Sequence, residues 1–188
     1  MNDIQNALKY TTDTKACIIA RGAIDSSFAL ISELFPNLTN VFLVADPNTW
    51  KVAGERVAIS LKANGIEVKQ FMLGADGAPF HAEYKWIDVL REAYLKEINR
   101  PKIVAVGSGT INDLCKRMAE EVGERYVVIG TAASMDGYTS FGAAITKDGM
   151  KQTLSCKAPL GCLIDTEIAA AAIALSAPII NPIMLPPK

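Results

Sequence analysis

The sequence of 188 residues carries 19 basic and 20 acidic side chains, and half of its residues are hydrophobic. That length builds one ordinary domain with a full core, and the hydrophobic content suits a sheet buried on both faces. The net charge of −1, with Lys and Arg scattered along the chain, leaves no electrostatic footing for nucleic acid or an acidic membrane.

Strand and helix patterns alternate from the start. Residues 15–20 form an apolar run that predicts a first strand, broken by Arg21-Gly22. Helical spacing follows from Ile24 to Phe35 through Phe28, Leu30, Ile31 and Leu34, and Pro36 stops it. A second strand over 41–45 ends on Asp46-Pro47-Asn48-Thr49. An amphipathic helix is predicted from Trp50 to Ala63, closed by Asn64-Gly65. A third strand over 66–73 leads through a loop to a helix over 84–98, whose apolar side carries Trp86, Ile87, Leu90 and Leu95. Then come two β-branched runs, Val104-Ala-Val-Gly107 and Val127-Val-Ile-Gly130, which read as buried parallel strands. The helical pattern Ile111, Leu114, Cys115 and Met118 lies between them. Residues 140–146 and 151–154, joined by Lys147-Asp-Gly149, predict a hairpin. A short strand over 161–164 precedes Asp165-Thr166-Glu167, which caps a last alanine-rich helix with Asp165 as the N-cap. Strands alternating with helices of this length imply right-handed crossovers and an α/β fold with a mainly parallel sheet, helices on both faces and a small β-hairpin.

The two glycine breaks are the chemistry-bearing features. A glycine turn between strand and helix aims bare N–H groups and the positive end of the helix dipole at one point, where phosphates bind. Gly107, Ser108, Gly109, Thr110 and Ile111 are the candidates for the first turn. Thr131, Ala132, Ala133, Ser134 and Ser140 offer hydroxyls and amides beside it. Asn112 stands where the third glycine of G-x-G-x-x-G belongs, so a tight sheet turn without a ligand is the competing reading. Asp113 and Lys116, three apart on a helix, are expected to be a solvated pair. The single histidine, His81, reads as a surface loop residue. Cys17, Cys115, Cys156 and Cys162 lack C-x-x-C spacing and sit mostly in apolar runs, so buried free thiols are expected. Met1-Asn-Asp-Ile is unlike a secretory leader, and a reducing cytoplasm is the expected setting.

These residues resemble the iron-containing alcohol dehydrogenase and dehydroquinate synthase superfamily, and within it the sn-glycerol-1-phosphate dehydrogenase branch with its glycerol dehydrogenase cousins. Gly107-Ser-Gly-Thr-Ile-Asn-Asp113-Leu-Cys-Lys116 is similar to that family's Gly-Gly-Gly-Ser-x-x-Asp-x-x-Lys turn, with Ser108 in place of the central glycine. Thr131-Ala-Ala-Ser134-Met-Asp136-Gly137-Tyr-Thr-Ser140 resembles the Thr-Ala-Ala-Ser-x-Asp-Gly-x-x-Ser segment of the glycerol-1-phosphate branch. Lys157-Ala-Pro159, Leu163-Ile-Asp165-Thr166 and the earlier Val44-Ala-Asp46-Pro-Asn48-Thr49 fit as well, so the similarity runs from about residue 13 to about residue 170.

The resemblance implies a Rossmann-like domain for NAD or NADP. Gly107 to Ile111 would hold the pyrophosphate, and Thr131 to Ser134 with Ser140 the nicotinamide half. Asp46 would accept hydrogen bonds from the adenosine ribose and disfavour a 2′-phosphate, or else serve as a turn cap before Pro47. Asp136 would face a polyol phosphate substrate, or else only make the turn before Gly137. The family's helical domain, with zinc or iron on one Asp and two His, has no counterpart in this sequence, where Leu175-Ser-Ala-Pro178 follows the last helix. No metal ligands are therefore expected here, and no complete catalytic set.

Residues 1–168 are expected to be the nucleotide-binding domain and 169–188 an apolar tail. That tail has no charge before Lys188 and holds four prolines, so it is too broken to span a bilayer. It reads as tucked against the domain, a homo-oligomer contact or the stump of a missing helical domain. The expected function is the nucleotide domain of a metal-dependent polyol or glycerol-phosphate dehydrogenase, inactive alone. The alternatives are a non-catalytic α/β module associating through its tail, and a dehydroquinate synthase relative.

Overall fold

The computed structural model describes residues 3–75, 77, 80–135 and 137–176, with backbone alone over 173–176. The strands, in chain order, are β1 (Ala16–Ala20), β2 (Asn40–Ala45), β3 (Glu67–Met72), β4 (Lys102–Gly107), β5 (Tyr126–Gly130), β6 (Ala143–Lys147), β7 (Met150–Leu154) and β8 (Gly161–Asp165). Six of them form one sheet in the order β1-β8-β5-β4-β2-β3, parallel at every junction. β6 and β7 pair antiparallel as a separate hairpin.

The helices are α1 (Asp3–Leu8), α2 (Ser27–Leu34), α3 (Pro47–Thr49), α4 (Glu55–Ala63), α5 (Tyr84–Leu95), α6 (Gly109–Val122) and α7 (Thr166–Ser176). No helix of the described residues is long and apolar enough to cross a membrane.

Period-two alternation sorts the strand side chains between two cores. Val41, Leu43 and Ala45 of β2, Val104 and Val106 of β4, and Val127 and Ile129 of β5 pack with Leu30 and Ile31 of α2 and Val57 and Leu61 of α4. The intervening Phe42, Val44, Ile103, Ala105 and Val128 pack against Ile87, Leu90 and Tyr94 of α5 and Ile111, Leu114 and Met118 of α6. Ala143 and Ile145 of the hairpin close that second side. Both faces are thus covered, as an all-parallel sheet requires.

The topology fixes where a site can lie. From β2 the chain moves outward to β3, whereas from β4 it moves the other way through β5 to β8. The carboxyl ends of β2 and β4 therefore flank the topological switch point, the place where ligands of open α/β sheets bind.

Three elements differ from the sequence expectations. α1 precedes the first strand, where no helix is predicted. The helix after β2 begins at Pro47 and not at Trp50, because Asp46 and Thr49 make a reciprocal capping box with proline at the first helical position. It then passes through a π-helical turn, Trp50–Gly54, into α4. The helix predicted over 84–98 stops at Leu95. The segment from residue 177, which carries most of the apolar tail, lies outside the described residues.

Candidate functional site

The ends of β4 and β5 are adjacent. Gly107 and Gly130 are partners in the parallel ladder, and the Thr131 N–H donates to the Gly107 carbonyl at 3.2 Å, one step past the strand end. Gly107 is required by the packing: a Cβ there would lie 2.5 Å from the Ile111 Cβ. That contact lets α6 start directly off the strand. Ser108 is its N-cap residue, extended at φ −89°, with no side-chain capping bond. The first bond of the helix runs from the Asn112 N–H to the Ser108 carbonyl. The amides of Gly109, Thr110 and Ile111 therefore stand outside the helical ladder and carry the positive end of its dipole. The Ile111 side chain itself is core, 1% exposed, so this residue offers the turn only its amide.

Asp46 stands across the switch point. Its Oδ1 accepts from the N–H groups of Asn48 at 2.8 Å and Thr49 at 2.9 Å, while its own N–H donates to the Thr49 hydroxyl at 3.0 Å. Asp46 is thus a helix cap in this structure, and both capping bonds fall on one carboxylate oxygen. Asp46, Asn48, Thr49, Lys51, Ser108 and Thr131 line a groove of about 920 Å³, with Ala132 beside them and Glu167 and Ile168 of α7 as its far wall.

The structure does not bring every candidate into that groove. Gly109 and Ser140 line a different cavity with Asp113 and Met135. Ala133 joins Ala132 in a third, apolar hollow beside Ile19 and Ile164. Thr110 and Ser134 line neither the groove nor these two cavities, and Ser134 is exposed in a turn. The Ser140 hydroxyl donates to the Gly137 carbonyl at 2.8 Å, a bond within its own turn. Asp136 lies outside the described residues.

Two residues that hold the second half of the site have roles the sequence reading did not assign. Tyr138 is buried, and its hydroxyl sits between the strand ends. The hydroxyl accepts from the Ala132 N–H at 3.2 Å and has the carbonyls of Ala132, at 3.0 Å, and Gly107, at 3.3 Å, as acceptors. A Cβ on Gly130 would lie 2.8 Å from the Tyr138 ring, so the ring fits only because β5 ends in glycine. Lys116 corrects the expectation of a solvated helix pair. Its side chain is 0% exposed. Its Nζ donates to the carbonyls of Ser140 at 2.9 Å, Gly142 at 3.1 Å and Gly137 at 3.4 Å. Asp113 is 4.0 Å away and accepts from the Ala144 N–H. Burial lowers the Lys116 pKa, against the opposing pull of Asp113, and burial raises that of Asp113. The sequence marks Lys116 only as the last residue of the Gly107–Lys116 motif, and its acceptors lie more than twenty residues on.

Asp165, at the end of β8, accepts from the N–H groups of Gly22, Ile24 and Glu167, so it caps both α7 and the 3₁₀ turn Ala23–Ser26. Burial works to raise its pKa, but these backbone bonds outweigh burial and hold the carboxyl below its ordinary range. His81 is exposed, and among the described residues no three His, Cys, Asp or Glu side chains gather as a metal site. With Asp165 committed to backbone donors, the residues present do not fit a site built from one Asp and two His.

Fold and switch-point groove together define a Rossmann-like α/β domain. Residues 18–172 match the family described as iron-containing alcohol dehydrogenase, and the chain belongs to that family. It is 38% identical over 131 residues to the glycerol-1-phosphate dehydrogenase of Halalkalibacterium halodurans, covering 69% of this chain and 32% of that one. Against the enzyme of the same name from Bacillus subtilis it is 30% identical over 172 residues, covering 89% of this chain and 42% of that one. The glycerol dehydrogenase of Schizosaccharomyces pombe superposes with a TM-score of 0.71 at 23% identity, over 84% of this chain and 38% of that one. The chain thus spans between a third and about two-fifths of the length of these relatives.

Proposed function

We propose that these residues form the dinucleotide-binding part of an NAD(P)-dependent dehydrogenase acting on glycerol phosphate or a similar polyol. The observation that carries the reading is the groove at the switch point. It is bounded on one side by the capped end of β2 and on the other by Ser108, the N-cap residue of α6. The relatives named for glycerol-1-phosphate and NAD(P)+ support it.

In this reading Ser108 to Ile111 bind the pyrophosphate through backbone amides, aided by the helix dipole. Thr131 and Ala132, set in place by Tyr138, orient the nicotinamide half. The second oxygen of Asp46 accepts from the adenosine ribose and favours NAD over NADP by repelling a 2′-phosphate. Asp136 faces the substrate. Bound there, the nicotinamide supplies the hydride acceptor or donor. The metal that the family resemblance implies finds no ligand set among these residues, so we assign the 188 residues nucleotide binding without alcohol oxidation.

Trp50 opens the π-helical turn and adjoins Lys51 in the groove wall. Titration with NADH should quench its fluorescence saturably, and Trp50→Phe should abolish most of the quench while Trp86→Phe leaves it. No quenching and no thermal protection at millimolar NADH would overturn the proposal. Turnover of glycerol 1-phosphate by these residues alone would overturn the assignment of binding without catalysis.

A further inference from the structure

Among the described residues β1 is an edge strand with β8 as its one neighbour in the sheet, and the register pairs Cys17 with Cys162. Registered positions on adjacent parallel strands point to the same face, and both cysteines belong to the core on the α5–α6 side. Neighbouring strands run about 4.8 Å apart, inside the range of about 4.4–6.8 Å between Cα atoms that a disulfide spans. The two thiols differ in access. Cys162 is buried at 1% exposure. Cys17 is half-buried, which corrects the expectation that the thiols are buried, and it lines a cavity of about 220 Å³ with Ala7, Leu8, Thr11 and Thr14.

They also differ in acidity. The neighbouring Cys162 thiol lowers the Cys17 pKa to about 7 despite the opposing effect of burial, whereas Cys162 is pushed up. Burial pushes Cys156 up to about 11 and raises Cys115 further. Thiolate, access and a second thiol in register coincide at one place among the four cysteines.

We propose that Cys17 and Cys162 form a two-thiol oxidation site for small hydroperoxides, with Cys17 as the attacking thiolate and Cys162 as the resolving thiol. The Cys17 sulfur attacks one peroxide oxygen and the O–O bond breaks. Cys17 is oxidised to the sulfenic acid and the peroxide is reduced, leaving as hydroxide, or as alkoxide from an organic peroxide. The Cys162 sulfur then attacks the Cys17 sulfur, the S–O bond breaks, and its thiol proton leaves with the oxygen as water. The product is a disulfide across the β1–β8 junction, which external dithiol reverses. This chemistry is independent of nucleotide binding.

The test is hydrogen peroxide titration of the full 188-residue chain, read by intact mass and peptide mapping. The expected result is a loss of about 2 Da that dithiothreitol restores, mapped to a Cys17–Cys162 link. In Cys162→Ser, dimedone should trap the sulfenic acid at Cys17, and Cys17→Ser should show no loss of mass. In the unsubstituted chain, iodoacetamide should label Cys17 before the other cysteines, half-maximally near pH 7. A link mapped to Cys115 or Cys156, the absence of any link at peroxide levels that already oxidise methionine, or uniform alkylation of the four thiols would each overturn the proposal.

Discussion

Asp46 makes the helix cap that its sequence offers, and its ribose role stands as a proposal. Asp-Pro-Asn-Thr fits both a helix cap and a ribose acceptor, and the cap uses Oδ1 alone. Asp46→Asn keeps a capping oxygen and removes the charge. It should leave stability within about 0.5 kcal/mol and narrow the preference for NADH over NADPH by about fivefold, as read by competitive titration. An unchanged preference would take the ribose role from Asp46. Lys116 was not legible, because a charged residue three positions from an aspartate on a helix is ordinarily solvated. Lys116→Met takes the Nζ donor from the carbonyls of Ser140 and Gly142 and leaves that of Gly137 to its Ser140 donors, so it should cost about 3 kcal/mol in denaturant unfolding and loosen the 137–142 turn to amide exchange. Asp165 was legible as a cap, although its bonds to Gly22 and Ile24 join distant parts of the chain. Its lowered pKa stabilises the fold above the unfolded value near 3.9, and this stabilisation is lost as pH falls through the folded one. Asp165→Asn should therefore cost about 1–3 kcal/mol at pH 7, and the gap to the unsubstituted chain should close below about pH 4. A gap that persists in acid would contradict the sign of the shift.

At the scale of elements, short apolar runs marked every strand of the sheet, with glycine stops after β4 and β5 and the Asp46-Pro47 and Asp165-Thr166 breaks after β2 and β8. The hairpin was legible for a specific reason: Asp148 and Gly149 both adopt positive φ, 53° and 76°, as a two-residue turn between right-twisted strands requires. The start of the helix at Pro47 was also encoded, in the spacing of Asp46, Pro47 and Thr49, but a turn reading of Asp-Pro competes with it. α1 carries no buried residue, so periodicity had nothing to report there. The β4–α6 junction depends on close approach. In Gly107→Ala the new methyl would sit 2.5 Å from the Ile111 Cβ, an atom that no rotamer change can move. That substitution should cost about 1–3 kcal/mol and weaken NADH binding in proportion to the displacement of the α6 amides. Full binding with native stability would show that the strand and helix separate freely.

For the molecule as a whole, composition and alternation indicated a parallel sheet buried on both faces, but not the order of its strands. That order depends on contacts such as β1 with β8, nearly the whole chain apart, which leave no local trace. It is nevertheless what places Asp46 opposite Ser108, because only a reversal of winding between β2 and β4 opens a groove there. The residues expected to act together were therefore divided by the fold: Asp46, Ser108, Thr131 and Ala132 share the groove, whereas Gly109 and Ser140 line a separate cavity with Met135. The most direct test of the groove is amide-resolved NMR during titration with NADH. The predicted result is saturable shifts concentrated at 46–49, 108–111 and 131–132, with the β6–β7 hairpin unmoved. Shifts confined to other surfaces, or no shifts at millimolar NADH, would contradict a dinucleotide site at the switch point.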